Sequence, residues 1–586
     1  MRFHHLQLNI LRRSRATGGA KQAGCYPKGV KRALWALLGT AALLPAQNGK
    51  LLDILSGELQ RNYRFLSEKE DPKAYFISYS VVDTESVSLS AALGSLLQNH
   101  HQKSRVLDVS IRVGSPQLDN YHRVRGERPQ FSQPVTISME DVPPSIVQRL
   151  WLETDRAYRA ASERFIRIQT DAEVKARAAD PSADFSVEAP VQYAEPVNPL
   201  RMDGSEWAPR VRKLSMLFAK YPHVLQSQIS VSAESQTKYF VSSEGARVQQ
   251  SRVFARVSVN AAAVAPVDGM RFSLFETFDA VDPRRLPDDT VIEKAIERLS
   301  GNLKRLMEAP AVDPFVGPAI LSGRAAGVFF HEIFGHRIEG HRQKDESEGQ
   351  TFTKSVGQRI LPAFLSVVFD PTIRAAEGVD LYGAYAVDDE GVRARRVPVV
   401  ENGVLKTFLM SRSPIQGFEH SNGHGRKAPG AEAVSRQSNL FVESRRQVSE
   451  AQLRSLLIDE IRRQGKPYGL YFDTVTGGFT TTGRQGLQAF TVIPLLVYRI
   501  YPDGRPDELV RGVDIVGTPL ASFAKILATS DRREVFNGIC GAESGPVPVS
   551  AVAPAMLVSE IEVQRKPRSD DRPPILPRPV VTEEAK

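Results

Sequence analysis

Three of the 11 histidines in this chain fall in one run: His331-Glu332-Ile333-Phe334-Gly335-His336, continuing through Arg337-Ile338-Glu339-Gly340 to His341. A hydrolytic metal site needs neutral imidazoles to hold a divalent ion, an open position for water, and a carboxylate to take that water's proton. His331, His336 and Glu332 supply those parts. The spacing is one residue longer than the HExxH of zincins, because position 335 is glycine. On a regular helix, side chains five apart diverge by about 140°, against about 40° for four. Imidazoles so splayed share an ion only if the helix is wound locally to an i→i+5 turn or ends near Gly335, and glycine permits either. A bare HExxxH also suits an amphipathic helix whose histidines cap or pack, so the surrounding residues have to decide.

Those residues carry a resemblance. Ser322-Gly323-Arg324-Ala325-Ala326-Gly327-Val328 leads into His331-Glu332 and Gly335-His336, then Ile338-Glu339-Gly340. Further matches follow in order: Asp388-Asp389-Glu390-Gly391, Glu401-Asn402-Gly403-Val404-Leu405-Lys406, Thr476-Gly477-Gly478, and Gly538-Ile539-Cys540-Gly541 with Pro548-Val549 and Pro554. Together they resemble the TldD/TldE (PmbA) family of metallopeptidases over roughly residues 205 to 562. The resemblance implies that His331, His336 and the distant Cys540 hold Zn²⁺ and that Glu332 is the general base. It also implies dimers, homomeric or with a TldE-like subunit that lacks the motif, enclosing a site for unfolded peptide. His341 stands where the family more often has an acidic residue, which leaves open a ligand, a substrate contact or a supporting group. His424 and Arg426 are candidate substrate-side groups; His420 and His424 are spaced to share a metal on a helix, but Gly423 and Gly425 argue for a loop.

The ends of the chain read differently from its middle. Residues 1–46 hold eight Lys or Arg and no Asp or Glu, with an apolar run from Ala33 to Ala46. That pattern predicts an exported protein with a secretory leader, periplasmic or extracellular, unless the true start lies downstream and the protein is cytoplasmic. The apolar run is short for a bilayer span, so no stable membrane span is expected once the leader is gone. Without the leader the formal charge of +9 falls to +1, which weakens any argument for nucleic-acid binding, and no nucleic-acid partner is expected. Cys25 goes with it, and Cys540 is then a lone thiol explained by metal ligation or by burial.

The elements that must position these residues indicate an α+β chain. An N-terminal α/β domain is expected over 47–310, and a strand-rich antiparallel C-terminal domain carrying the HExxxH helix over 311–565, with a disordered tail over 566–586. Leu51, Leu52, Leu55, Leu59, Tyr63 and Leu66 mark a helix face, and Tyr75 to Val82 a strand. Leu107, Val109, Ile111 and Val113 alternate with Asp108, Ser110 and Arg112, the pattern of a strand covered on one face only. A long surface helix opens at Val142-Pro143-Pro144. Ala179 to Pro209 reads as a connection, followed by a helix over Val211 to Ala219. Two strands meet at a Ser242–Gly245 hairpin turn, and a further helix follows Pro287-Asp288-Asp289. Cys540, between Gly538 and Gly541, is expected on a turn that presents its sulfur. Asp388–Gly391 and Glu401–Gly403 read as hairpin turns.

No Walker loop, dinucleotide fingerprint or nucleophile elbow is present. The reading is a zinc-dependent peptidase acting on unfolded or small peptides. Two alternatives stay open: a metal-bearing but non-proteolytic partner or scaffold, and a metal-dependent amidohydrolase acting on small molecules or cell-wall peptides.

Overall fold

Long antiparallel strands dominate the first half of the computed structural model, which describes residues 50–123, 133–170, 180–480, 482–484, 490–516 and 523–566, with 574, 576 and 579. The expected leader, and nearly all of the expected tail, lie outside the described residues. Strands β1 (Ala74–Ala92) and β2 (Ser95–Ser115) form a hairpin in which Tyr79 faces Val109 and Val81 faces Leu107. β1 outruns the expected Val82 because its alternation continues through a polar stretch, with Val87, Leu89 and Ala91 still turned inward. β3 (Gln226–Ser242) and β4 (Arg247–Val264) form a second hairpin through the expected turn, and β3 pairs with β1. β5 (Arg271–Ala280) pairs with β4, and among the described residues the sheet has eight strands.

Helices cover one face of this sheet in two pairs. α1 (Lys50–Glu68) and α2 (Pro143–Thr170) lie over Ile77, Tyr79, Val81 and Leu107. α3 (Gly204–Met216) and α4 (Asp289–Glu308) lie over Leu89, Val231 and Val257. α3 begins before the expected Val211 and carries Pro209 inside it. The side chain of Asp203 accepts from the backbone N–H of Ser205 and opens the helix, and Trp207 and Val211 bury its apolar side.

The other face corrects the expectation of a half-solvated sheet. Asp108 and Arg112 are only 3% and 4% exposed. Lys427 Nζ donates to Asp108 Oδ2 at 2.6 Å, Arg112 donates to Asp119 Oδ2 at 2.6 Å, and Lys238 pairs with Asp389. Lys427 and Asp389 from far downstream, with the nearby Asp119, therefore cover a polar face that alternation alone assigns to water; buried charges persist because each has a partner.

The second half is built on a sheet of twelve strands among the described residues, largely antiparallel but with parallel pairings. β6 (Phe315–Leu321) leads into α5 (Gly323–Ile333). β7 (Gly469–Thr480), β8 (Phe490–Ile500), β9 (Ile526–Ala542) and β10 (Gly545–Arg565) form much of the floor. The Glu401–Gly403 turn closes a hairpin, with both Asn402 and Gly403 at positive φ. At Asp388–Gly391 the Asp388 carboxylate accepts from the backbone N–H groups of Glu390, Val392 and Gly425, so it holds the turn together from inside. The described residues from Lys50 onward pack as one unit, and the expected boundary at 310 falls between α4 and β6.

Candidate metal centre

Helix α5 is short, apolar and pressed onto the sheet. Ser322 caps it, accepting from Ala325 N–H and donating to Asp473 C=O at 2.8 Å, and Glu534 accepts from Arg324 N–H at 2.9 Å. Phe329, Phe330 and Ile333 are buried. A Cβ at Gly323 would stand 2.6 Å from Ala553 O, and one at Gly327 3.1 Å from Ala551 Cβ, so these glycines let the helix approach β10 closely.

The five-residue histidine spacing is accommodated by ending the helix. α5 stops at Ile333, and Gly335–Ile338 continues as a tight 3₁₀ turn, without the i→i+5 winding that was the alternative. The His331 and His336 rings lie 5.0 Å apart at 78°. Gly335 is needed for packing here: an added Cβ would fall 1.9 Å from Gln437 Oε1, and Gln437 itself donates to His331 C=O at 3.2 Å. Gly335→Ala is expected to destabilise the metal-free protein by about 1–3 kcal/mol through overpacking. Urea unfolding checks this, and an unchanged midpoint would show that Gln437 can move aside.

Cys540 meets the imidazoles from the other side. Its Sγ is 3.4 Å from His336 Nε2, and one donor atom from each of His331, His336 and Cys540 lies within 4.8 Å of the other two. The expected turn at Cys540 is instead strand: Cys540 pairs with Val547 and Gly538 with Val549, and the chain turns only at Glu543–Ser544. Paired backbone satisfies itself, so the strand carries the sulfur to the site without a turn. Arg436 fixes it there by donating to Cys540 C=O at 2.8 Å.

The electrostatics match a site that binds a cation through thiolate and imidazole. Burial pushes the Cys540 thiol up, but His336 and His331 outweigh that and hold it well below its ordinary 9.0. Burial lowers His336, and Glu339 and Cys540 together raise it to about 10. Glu332, 7% exposed, has its carboxyl raised by burial against the pull of His331 and His336. Two imidazoles and a thiolate converging in this way fit Zn²⁺ in both donor type and number, leaving a fourth position for water.

Glu339, given no role from the sequence, completes the arrangement. It is fully buried, and its Oε2 lies 3.2 Å from His336 Nδ1, which turns Nε2 toward Cys540. Burial raises its carboxyl, but His336 and Arg342 bring it down to about 2. Glu339→Gln is expected to weaken zinc binding about 10–100-fold. Competition with a chelating dye measures that, and undiminished affinity would deny Glu339 its orienting role.

His341 is not brought into the His331–His336–Cys540 cluster. It is buried on the short helix His341–Lys344 and pairs with the carboxylate of Glu543, three residues beyond Cys540. Arg342 donates to Glu543 Oε2 and Glu339 Oε2, each at 2.8 Å, and to Glu348 Oε1 at 2.9 Å. Glu339, His341 and Glu543 also offer donors within 4.8 Å of one another, but the Arg342 guanidinium already contacts both carboxylates there, which makes the cluster an internal ion-pair network. Glu543 is held well below the carboxylate range against burial by His341 and Arg342.

His331, Glu332, His336 and Cys540 all line a cavity of about 720 Å³, walled also by Thr476, Gly477, Gly478 and Phe479. His424 and Arg426 are not in its wall. His424 is fully buried, hydrogen bonded to Asn422 and Ser438, and lowered to about 3 chiefly by burial. Arg426 donates to the carbonyls of Gln437 and Pro548, so it supports the Gln437 that rests on Gly335. His420 is solvent-exposed beside Glu188 and is separated from His424 by that difference in burial.

Residues 316–565 match the model of the PmbA/TldA metallopeptidase C-terminal domain, and residues 163–303 that of the PmbA/TldA metallopeptidase central domain. A metalloprotease of Methanocaldococcus jannaschii is 28% identical over 262 residues, which is 44% of this chain and 53% of that protein. A zinc metalloprotease TldD homolog of Saccharolobus solfataricus is 26% identical over 248 residues, 42% of this chain and 51% of that protein. The chain thus aligns with about half the length of these two curated relatives. The crystal structure of TldE from Thermococcus kodakarensis superposes with a TM-score of 0.61 at 14% identity, covering 87% of this chain and 100% of that one, a likeness of fold.

Proposed function

Because the chain belongs to the TldD/PmbA metallopeptidase family, we propose that it is a zinc-dependent peptidase that hydrolyses peptide bonds in unfolded or small peptides. The observation that carries this reading is the convergence of His331, His336 and Cys540 on one point of a cavity wall, with Glu332 beside them in the same wall. A zinc ion held by these three supplies Lewis acidity at the substrate carbonyl and makes water acidic enough to be deprotonated near neutral pH.

The chain's own residues do the rest. Glu332 takes a proton from the attacking water and returns it to the leaving amine nitrogen. Burial suits it to the second task, since a raised carboxyl holds a proton long enough to deliver it. Glu339 and Arg436 keep His336 and Cys540 in place while the proton moves. The same proposal takes the protein to be exported through residues 1–46. It also takes it to be a dimer, homomeric or with a TldE-like subunit.

The test is incubation of the purified, zinc-analysed protein with a mixed library of unstructured peptides, read by mass spectrometry. New termini inside the peptides are expected. A zinc-containing protein that leaves every peptide intact would falsify the reading. Hydrolysis confined to small amides would move the assignment to an amidohydrolase.

A further inference from the structure

Apart from the metal-centre imidazoles and thiol, the cavity wall holds five Arg or Glu side chains, of which three are already paired. Arg256 makes a two-pronged contact to Asp279 and also reaches Asn537 C=O. Arg342 and Glu543 belong to the network below the metal ligands. Glu332 stands at the reacting end. That leaves Arg324, the one cation of this wall whose guanidinium has no carboxylate or carbonyl acceptor among the described residues. The carboxylate of Glu534 is engaged instead by the backbone N–H of Arg324 at 2.9 Å.

Helix geometry places this cation relative to the chemistry. Arg324 and His331 are seven residues apart on α5, which is about 20° short of two full turns and about 10 Å along the axis. They therefore share a face, with Val328 between them in the same wall. The Arg324 guanidinium lies 5.9 Å from the Phe536 ring centre, and exposed Phe479 and Ile539 also line the cavity. Apolar surroundings of this kind strengthen an ion pair relative to open water. An extended peptide advances about 3.3 Å per residue, so about 10 Å corresponds to three residues.

We propose that Arg324 is a specificity-determining residue that binds a carboxylate of the peptide substrate two to four residues from the bond cleaved at the metal centre. Its free guanidinium in the cavity wall, on the same helix face as His331, is what points to that ligand. The carboxylate is either the free C-terminus of the peptide or the side chain of an internal Asp or Glu. The inference rests on the peptidase reading for what it calls substrate, but it concerns binding and is tested by binding.

The full-length, zinc-loaded Glu332→Gln protein is titrated into N-terminally labelled, unstructured decapeptides of Ala, Ser, Gly and Gln, with anisotropy as the readout. One peptide ends in a free carboxylate, one in an amide, and one in an amide with a single internal Asp. At least one carboxylate-bearing peptide is expected to bind about tenfold more tightly than the neutral amide at low salt, with the preference shrinking at high salt. The arm that shows it names the source. The preference is expected to vanish when Arg324→Gln is added and to return in part with Arg324→Lys. Equal binding of all three peptides, absence of binding by any, or a preference that survives Arg324→Gln would overturn the proposal. Carboxylate-selective binding that depends on Arg324, without cleavage by the unsubstituted protein, would instead sink the peptidase reading and leave Arg324 as a carboxylate-binding residue of the cavity.

Discussion

Glu332→Gln is expected to reduce kcat/KM for peptide hydrolysis by about 10²–10⁴-fold, the usual contribution of a positioned general base, while zinc stays at one equivalent per chain. The amide replaces a carboxylate of the same shape in a pocket that is 7% exposed, so packing is conserved. Burial already disfavours the ionised carboxylate, since its carboxyl sits above the ordinary 4.5. Removing that charge should therefore leave thermal stability equal or slightly higher. Three measurements together decide the role: initial rates on a peptide identified from the library, zinc by elemental analysis, and a thermal melt. Loss of rate with zinc and fold intact identifies a proton carrier. Loss of zinc would make Glu332 a metal-site support, and full retained rate would remove it from the chemistry.

How much of this was legible in the sequence differs from residue to residue. The 140° divergence of His331 and His336 on a regular helix already required a break or a distortion near Gly335, and the structure supplies the break. The reason for glycine could not be read locally, because Gln437 lies about a hundred positions downstream. The same holds for the network behind the ligands. His336, Glu339 and Arg342 recur at three-residue spacing and were open to notice, but Glu543, the further partner of Arg342, arrives in a turn some two hundred residues later. Alternation along β2 correctly set Leu107, Val109 and Ile111 inward. It misassigned Asp108 and Arg112, since only the fold reveals that Lys427 and Asp119 await them. Pro209 argued for a boundary that the Asp203 cap and the burial of Trp207 overrode.

Cys540→Ala is expected to lower zinc affinity by more than the Glu339→Gln change, because it removes a donor atom and not merely the group that aims one. The pH dependence of binding gives a second, sharper expectation. In the metal-free protein His336 is raised to about 10 while the Cys540 thiol is held well below 9.0, so near neutral pH the two form an imidazolium–thiolate pair. Zinc requires a neutral imidazole, and its uptake must expel the His336 proton, whereas the thiol has none left to give. Apparent affinity should then rise about tenfold per pH unit between pH 7 and 9. Chelator competition at several pH values reads the slope directly. The thiolate has its own signature: iodoacetamide should modify Cys540 in metal-free protein below pH 8, where an ordinary thiol is mostly protonated, and zinc should protect it. Equal alkylation with and without zinc, or unchanged zinc content in Cys540→Ala, would detach the sulfur from the site. The imidazole pair alone would then have to hold the ion on two donors, fewer than the three protein ligands that catalytic zinc sites use.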